Sequence, residues 1–244
     1  SVTGTRADSS VVVSWTVPVD NGGSTIISYT ATSSPGSFTC NVTGASSTSC
    51  TVTGLTNGTA YTFTVVATNS AGNSLASTAS ASVTPATNAG APTSVSATSN
   101  ANTQSVITWT APVSNGGSAI TSYVVTSSPS GATCTRGANA TTYTCTGLTA
   151  GTNYTYSVKA VNSKGESSAS LDSTAVTAVA APSAPLNVSA VITAGTTTLS
   201  ATVSFDPPAS ENGSPVTSYT VTASPGGATC NVTAPTTYCD IPVL

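Results

Sequence analysis

The chain repeats one long sequence pattern three times. An aromatic residue marks each copy, at Trp15, Trp109 and Phe205, with spacings of 94 and 96 residues. Each copy continues with an Asn-Gly loop, a Ser-Tyr pair, a Ser-Pro turn and two cysteines. A repeat of this length is a whole domain rather than one turn of a solenoid. We therefore predict three domains, named the first, second and third repeats, over residues 1–86, 87–180 and 181–244.

The two outer repeats are shorter than the middle one. The second repeat is led by residues 91–95 (Ala-Pro-Thr-Ser-Val), which have no complete counterpart in the first, and only five residues follow Cys239 in the third. We therefore expect the first repeat to lack the start of its first strand and the third to lack its last two strands. Two interpretations stay open: the sequence is a piece of a longer repetitive protein, or a neighbouring chain supplies the missing strands.

Short segments that contain proline connect the repeats, at residues 84–92 and 178–185. Such segments are stiffer than linkers made of glycine and serine. The sequence therefore predicts that the domains follow one another in an extended rod.

Charge is scarce in this chain. Only 5% of the residues are charged, with four basic, seven acidic and no histidine, and the net charge is −3. Nucleic acids and anionic membrane surfaces attract basic patches, so neither is an expected partner. A membrane-spanning helix needs about 18 or more consecutive apolar residues, and no such run is present, so we expect no membrane insertion. The absence of histidine excludes a Ser-His-Asp triad and a Cys-His nucleophile.

The acidic residues give no recurring catalytic position. Asp20 aligns with Ser114 and Glu211, so the three repeats share no carboxylate there, and a paired-carboxylate glycosidase site is not indicated. Calcium takes roughly six to eight oxygen ligands, whereas Asp20 and Glu211 each offer one carboxylate beside an Asn-Gly turn. Glycine turns explain these loops. We expect no enzyme activity, no metal and no cofactor in this segment.

Each repeat carries its own pair of cysteines, separated by 9 to 11 residues. Six cysteines allow about fifteen pairings in principle, but the repetition favours pairing within each copy. This separation suits two strands of one hairpin, where opposed Cα atoms come within disulfide reach. Disulfides indicate an oxidising compartment, so we predict a secreted or cell-surface protein. Two alternatives stay open: buried free thiols and, although no C-x-x-C motif or histidine is present, zinc. The predicted disulfides join Cys40 with Cys50, Cys134 with Cys145, and Cys230 with Cys239.

Strand chemistry dominates the sequence. Val11, Val13 and Trp15 alternate with smaller or polar neighbours, which is the period of a half-buried strand. Turn sequences such as Asn-Gly-Gly and Ser-Pro-Gly recur roughly every ten residues. About seven short strands per repeat predict a β-sandwich. The predicted strands of the first repeat lie near residues 2–5, 10–17, 25–33, 37–42, 49–53, 59–69 and 77–84.

Two segments with one spacing point to a family. Residues 55–61 (Leu-Thr-Asn-Gly-Thr-Ala-Tyr) and 148–154 (Leu-Thr-Ala-Gly-Thr-Asn-Tyr) resemble the turn that enters the sixth strand of fibronectin type III domains. The tryptophan of the second strand, the tyrosine of the third and the segments 67–72 and 160–165 match as well. The chain is similar in particular to the bacterial extracellular branch of this family.

The resemblance implies an all-β fold of tandem immunoglobulin-like β-sandwiches. In this family a tyrosine corner ties the connection across one end of the sandwich. The core and corner positions implied by the resemblance are Trp15, Tyr29, Leu55, Tyr61, Trp109, Tyr123, Leu148, Tyr154, Phe205 and Tyr219.

The sequence supports two hypotheses about function. The first is a structural repeat segment of a long secreted or cell-surface bacterial protein that forms a filament, a sheath or an adhesin stalk. Its expected partners are other copies of the chain or further repeats of the parent protein, and the surface permits glycans. The alternative is a spacer or accessory region of a secreted polysaccharide-degrading enzyme.

Overall fold

The structure is a computed structural model that describes residues 1–100, 102–136, 141–194 and 199–243. These residues form β-strands and turns, and among them no helix has the length and apolar character needed to cross a membrane. The strands of the first repeat are β1 (Val2–Ala7), β2 (Ser10–Trp15), β3 (Ile26–Ser34), β4 (Thr39–Thr43), β5 (Ser49–Thr53), β6 (Thr62–Asn69) and β7 (Gly72–Asn73). Those of the second are β8 (Thr93–Asn100), β9 (Gln104–Thr110), β10 (Ser122–Ser128), β11 (Thr133–Arg136), β12 (Thr142–Thr146), β13 (Asn153–Asn162), β14 (Gly165–Glu166) and β15 (Val176–Thr177). Those of the third are β16 (Leu186–Ala194), β17 (Leu199–Asp206), β18 (Ser218–Thr222), β19 (Thr229–Thr233) and β20 (Tyr238–Val243).

The strands pair into two sheets in each repeat. The first repeat has the orders β1-β2-β5 and β4-β3-β6-β7. The second has β11-β12-β9-β8 and β10-β13-β14, with β15 also paired to β13, and the third has β16-β17-β20 and β18-β19. The predicted all-β fold of tandem sandwiches is therefore confirmed.

Close packing of Cα atoms divides the chain into two compact units. The first contains residues 1–93, 110–124 and 158–170, and the second contains residues 94–109, 125–157 and 171–244. The connection between the first and second repeats lies within the first unit, and the connection between the second and third repeats lies within the second. Each connection is therefore part of a densely packed body.

The core of the first repeat forms where its two sheets face each other. Val11, Val13 and Trp15 alternate along β2 and meet Tyr29 and Ala31 of β3. The rings of Trp15 and Tyr29 lie 5.3 Å apart, and the Tyr29 hydroxyl donates a hydrogen bond to a loop carbonyl at 3.1 Å. Burial raises the pKa of the Tyr29 hydroxyl above its ordinary value. Burial of each large side chain of this kind stabilises the fold by about 1.5–3 kcal/mol. The residues that the period-2 pattern placed on one face of β2 are thus the ones that form the core.

The disulfides join different elements in different repeats. Cys40 on β4 bonds to Cys50 on β5, and these strands belong to opposite sheets. Cys230 on β19 and Cys239 on β20 also join two sheets. Cys134 on β11 bonds instead to its directly opposed neighbour Cys145 on β12.

The predicted hairpin arrangement therefore applies to the second repeat and is wrong for the first and third. In the first repeat β4 pairs with β3, so that Cys40 opposes Ala31, and Cys50 on β5 opposes Val13. Ala31 and Val13 are both fully buried, so the side chains of Cys40 and Cys50 lie on the core face of their sheets and the disulfide connects the two sheets. The Cα atoms of Cys40 and Cys50 are 6.1 Å apart, which is within the usual disulfide range.

A segment with a serine at every third position replaces the predicted seventh strand. The amide groups of Ser74, Ser77 and Ser80 donate to carbonyls of β6 at 2.8–2.9 Å. Their hydroxyls accept the N–H groups of Ala67, Val65 and Phe63 at 3.0–3.1 Å. Each hydroxyl also donates to the carbonyl of the following residue. The serine side chains thus take the place that backbone carbonyls have in an ordinary ladder.

The prediction of a strand at residues 77–84 is wrong except for one bridge between Tyr61 and Val83. Two residues of β6 span about 6.6 Å, and three residues of the serine segment cover the same length. The segment is therefore coiled rather than extended. The second repeat has the same arrangement on β13, made by Ser167, Ser170 and Ser173.

Peptide mapping by mass spectrometry without reductant tests the cysteine pairing. It is expected to find three disulfides, each within one repeat. Reduction should destabilise each repeat by about 2–3 kcal/mol, because short closed loops then regain entropy in the unfolded chain. Free thiols, or pairs between repeats, would contradict the structure.

Replacement of Ser80 by alanine tests the serine segment. The change leaves the buried N–H of Phe63 without its acceptor, which should cost about 1–3 kcal/mol. Hydrogen exchange measured by NMR is expected to show the Phe63 amide exchanging at least tenfold faster. The matched control is Thr78→Ala, in the same segment, because the Thr78 side chain is exposed. Equal exchange in the two variants would show that the hydroxyl does not support β6.

Candidate functional site: the joints between repeats

In the first and second repeats, the loop between the second and third strands is closed by its own side chains. Asp20 and Asn21 accept hydrogen bonds from the N–H groups of Gly22 and Gly23 at 2.8 and 3.0 Å. In the second repeat, Ser114 and Asn115 make the corresponding bonds to Gly116 and Gly117 at 3.1 and 2.9 Å. The four glycines have φ angles between 67° and 81°, a region that favours glycine. The glycine turn predicted for these loops is present in both.

The segment that joins the first and second repeats is hydrogen-bonded to the loop of the second. Thr87 donates its backbone N–H to the carbonyl of Gly116 at 2.8 Å, and Gly90 donates to Ser114 at 2.9 Å. These bonds place a short length of linker beside the loop. The linker is therefore bound along its length rather than free between its ends.

Glycine lets two backbones touch at this joint. Gly58 lies in the turn that precedes β6, and its N–H donates to the carbonyl of Pro85 at 2.9 Å. A Cβ added to Gly58 would lie 3.2 Å from the Cα of Gly117, and one added to Gly117 would overlap the backbone of Asn57 and Gly58. A Cβ on Gly116 would overlap the linker carbonyls. Both loop glycines are therefore needed for the contact as well as for the turn.

A buried asparagine holds the loop and the linker together. Asn162 is 5% exposed, and its Nδ2 donates to the carbonyls of Thr87 and Asn115 at 2.9 and 2.8 Å. Its Oδ1 accepts the N–H of Lys164 at 2.8 Å, so every polar atom of the side-chain amide is used. Asn88 of the linker donates in turn to the carbonyl of Glu166 at 2.8 Å.

A second set of bonds fixes the turn of the first repeat. Asn57 donates from Nδ2 to Asp8 at 2.8 Å and accepts the N–H of Ser9 at 3.0 Å. The hydrogen bond from Asn57 holds the pKa of the Asp8 carboxyl below its ordinary value. The neighbouring Arg6 reaches across the joint to the hydroxyl of Ser163 at 3.4 Å.

The joint between the second and third repeats has the same three backbone bonds. Gly151 donates to Ala178 at 2.8 Å, which corresponds to the bond from Gly58 to Pro85. The other two bonds correspond to those made by Thr87 and Gly90. They run from Ala180 to Asn212 at 3.0 Å and from Ser183 to Ser210 at 2.9 Å. The structure thus aligns Ser210 with Ser114 and Asp20, so the predicted alignment of Glu211 with these residues is wrong by one position.

The glycine contact also recurs at the second joint. A Cβ added to Gly213 would overlap the carbonyl of Ala178 and lie 3.0 Å from the backbone nitrogen of Gly151. Asn212 adds a side-chain bond to the carbonyl of Ala181 at 2.6 Å. One design therefore serves two joints whose linker sequences differ.

The structure places most of the predicted core and corner residues in buried positions. The Tyr61 hydroxyl accepts the N–H of Thr56 at 3.1 Å, and the Tyr154 hydroxyl accepts that of Thr149 at 3.0 Å, as a tyrosine corner requires. Burial raises the pKa of the neighbouring Tyr156 hydroxyl. The buried members of the predicted set are Trp15, Tyr29, Leu55, Tyr61, Trp109, Leu148, Tyr154 and Phe205.

Two predicted core tyrosines are only half-buried, which corrects that part of the prediction. They are Tyr123 on β10 and Tyr219 on β18. Within the described residues β18 pairs with β19 alone. A cavity of about 460 Å³ is lined by residues that include Tyr219, Phe205 and Val221. The Phe205 and Tyr219 rings still lie 4.8 Å apart.

The acidic residues considered for calcium serve the loops. Asp20 accepts the N–H of Gly22, and Glu211 accepts that of Val216 at 3.3 Å. Among the described residues no group of three or more His, Cys, Asp or Glu side chains is arranged to hold a metal ion. The joints, which combine backbone hydrogen bonds with close glycine contacts, are therefore the candidate functional site. The sequence predicted their loops but not the contacts that the loops make.

Replacement of Gly117 by asparagine tests the first joint, with Gly23→Asn as the matched control. Asparagine tolerates a positive φ better than other non-glycine residues, and the two glycines have nearly equal φ angles of 81° and 78°. A Cβ at Gly117 overlaps the first repeat, whereas a Cβ at Gly23 meets nothing within 4 Å. Because hydrogen bonds worth about 1 kcal/mol each are lost, the Thr87 and Gly90 amides should exchange at least tenfold faster in the first variant only. Equal protection in both variants would contradict the joint.

Comparison with known proteins agrees with the geometry of the sandwiches. The family model of the Fibronectin type III domain matches residues 1–84 and 90–176. "Chitinase A1" of Niallia circulans is 34% identical over 190 residues, which cover 75% of this chain and 26% of that protein. "Exoglucanase B" of Cellulomonas fimi is 36% identical over 160 residues, which cover 60% of this chain and 14% of that protein. The chain thus spans well under half the length of either relative.

Solved structures with tandem domains also match. The chicken CNTN1 FN1–FN3 domains are 20% identical to this chain, and the match covers 100% of this chain and 88% of theirs with a TM-score of 0.35. Domains A168–A170 from titin are 22% identical, with coverages of 72% and 61% and a TM-score of 0.45. Because the two matches to the family model together cover most of this chain, the chain belongs to the fibronectin type III family.

Proposed function

We propose that this chain is a spacer region of a secreted polysaccharide-degrading enzyme. The observation that carries the proposal is its similarity to "Chitinase A1" and "Exoglucanase B", whose names describe action on polysaccharides. Because the chain spans 26% and 14% of those proteins, the catalytic activity is assigned to other regions of the parent. The role proposed for this segment is to hold such regions at a set distance.

The joints give the spacer its mechanical character. A linker of glycine and serine behaves as a flexible coil, whereas each linker here donates two backbone hydrogen bonds to the loop of the following repeat. The glycine contacts between Gly58 and Gly117 and between Gly151 and Gly213 add close packing. Such joints resist bending between each linker and the repeat that follows it.

The composition fits a region that does not itself act on the polysaccharide. General acid–base catalysis is done mostly by histidine or by a carboxylate with a shifted pKa. The chain has no histidine, and Asp20 and Glu211 are engaged in loop hydrogen bonds. Sugar-binding surfaces commonly use exposed aromatic rings, whereas Trp15 and Trp109 are buried in their cores.

An extracellular location is part of this proposal. Each repeat has its own disulfide, and disulfides persist in oxidising compartments. The sparse charge leaves a surface of serine and threonine, which remains open to glycosylation.

A filament, sheath or adhesin stalk is the second candidate. Its support is that the same three backbone bonds and a glycine contact recur at both joints, because a recurring joint can be continued over many repeats. The similarity to two polysaccharide-degrading enzymes supports the spacer better, and the filament therefore ranks second.

The parent protein provides the test. Hydrolysis of an insoluble and of a soluble form of its polysaccharide is measured for the parent, for a deletion of residues 1–180, and for a variant with a Gly/Ser linker of equal residue number. We expect hydrolysis of the insoluble form to fall in both variants and hydrolysis of the soluble form to stay unchanged, because a spacer affects reach rather than chemistry.

Two results would count against the spacer. If the flexible linker fully replaces the repeats, the joints have no part in the function. If the parent hydrolyses no polysaccharide and consists of further repeats, the filament becomes the better account.

A further inference from the structure

The first repeat has the same loop surface that is occupied in the second and third. This first-repeat docking face consists of the loop at residues 20–23 and the turn at residues 69–74. It borders an open cavity of about 300 Å³ whose lining includes Pro18, Asn21, Ile26 and Asn73. At the corresponding place in the second repeat lie the linker and the glycine turn of the first.

The glycines of this face keep the occupied conformation while the space beside them is empty. Gly22 and Gly23 have φ angles of 67° and 78°, against 70° and 81° for Gly116 and Gly117. A Cβ added to Gly23 would meet nothing within 4 Å, and one added to Gly22 would meet only the Asn69 side chain at 3.5 Å. The loop is therefore already shaped for a backbone contact.

The hydrogen-bonding groups of the face also match. Asn69 donates from Nδ2 to the carbonyl of Asn21 at 2.8 Å, as Asn162 donates to Asn115. Asn162 uses its other Nδ2 hydrogen for the linker carbonyl of Thr87, and within the described residues Asn69 has no such second acceptor. The face thus retains one donor aimed at the place of a linker.

Two backbone acceptors complete the match. The carbonyls of Gly116 and Ser114 accept the linker amides at the occupied joint. The corresponding carbonyls of Gly22 and Asp20 accept no backbone N–H from another segment within the part of the chain that the structure describes. An occupant must therefore offer two N–H groups three residues apart, one carbonyl and a turn without a side chain.

We propose that the first-repeat docking face binds the linker and glycine turn of another fibronectin type III domain. The residues that would make the contact in that domain correspond to Gly58, Thr87 and Gly90 of the first repeat. The inference rests on the proposed function, because it extends the spacer's joint design to a partner domain. It names the class of domain that fits the face.

A fusion of residues 1–93 to the amino end of the full chain tests the proposal. In this fusion Thr93 is followed by Ser1-Val2, which reproduces the natural sequence Thr93-Ser94-Val95. Only the added copy is isotopically labelled, and hydrogen exchange of its Thr87 and Gly90 amides is followed by NMR. We expect protection comparable to that of the same amides at the natural joint.

Gly23→Asn in the fusion supplies the sharper comparison. In the unextended chain this change meets open space, whereas in the fusion the new side chain would overlap the added turn. The added Thr87 and Gly90 amides should then exchange at least tenfold faster than in the fusion without the change. Unprotected amides in the added copy, or no response to Gly23→Asn, would overturn the inference.

Failure of this inference is distinguishable from failure of the proposed spacer. If Gly117→Asn opens the natural joint but Gly23→Asn leaves the added joint unchanged, only the docking face is refuted. If neither variant has an effect, glycine contact does not hold the joints, and both the docking face and the rigid spacer are refuted.

Discussion

Contact between two backbones at each joint is the constraint on which the arrangement of the repeats depends. At the first joint Gly58 lies against Gly117, and at the second Gly151 lies against Gly213. A Cβ added to Gly117 or Gly213 would overlap the backbone on the other side of the joint, and beside each contact the linker amides donate to carbonyls of the next loop. At both joints a loop glycine with a positive φ, Gly117 or Gly213, serves the turn and the contact together.

Within the repeats, hydrogen bonds of small side chains do much of the work that charged residues do elsewhere. The chain has only eleven charged residues, and Lys159 and Glu166 form an ion pair at 3.0 Å. Serine hydroxyls instead support the edge of β6 and β13, and disulfides staple the sandwiches. The Cys40–Cys50 and Cys230–Cys239 bonds cross between sheets, whereas the Cys134–Cys145 bond lies within one, so a repeated sequence has not produced an identical staple.

The sequence predicted the features that depend on local period and missed those that depend on distant contacts. Alternation at Val11, Val13 and Trp15 predicted β2, and the spacing from Leu55 to Tyr61 predicted the corner. The separation of Cys40 and Cys50 suits a hairpin and a bridge between sheets equally, so it could not distinguish them. Ser77 and Ser80 lie within the predicted strand at residues 77–84, but together with Ser74 they follow a period of three, whereas a strand has a period of two. The contact of Gly58 with Gly117 could not be foreseen, because it depends on the course of the linker.

The proposed function is mechanical: the segment positions other regions of a larger protein through joints that resist bending. Residual dipolar couplings of the backbone amides in the full chain test this claim most directly. If the joint is rigid, one alignment tensor should fit the couplings of the first and second repeats together. If the two repeats require tensors of clearly different magnitude, they reorient independently and the rigid spacer is contradicted.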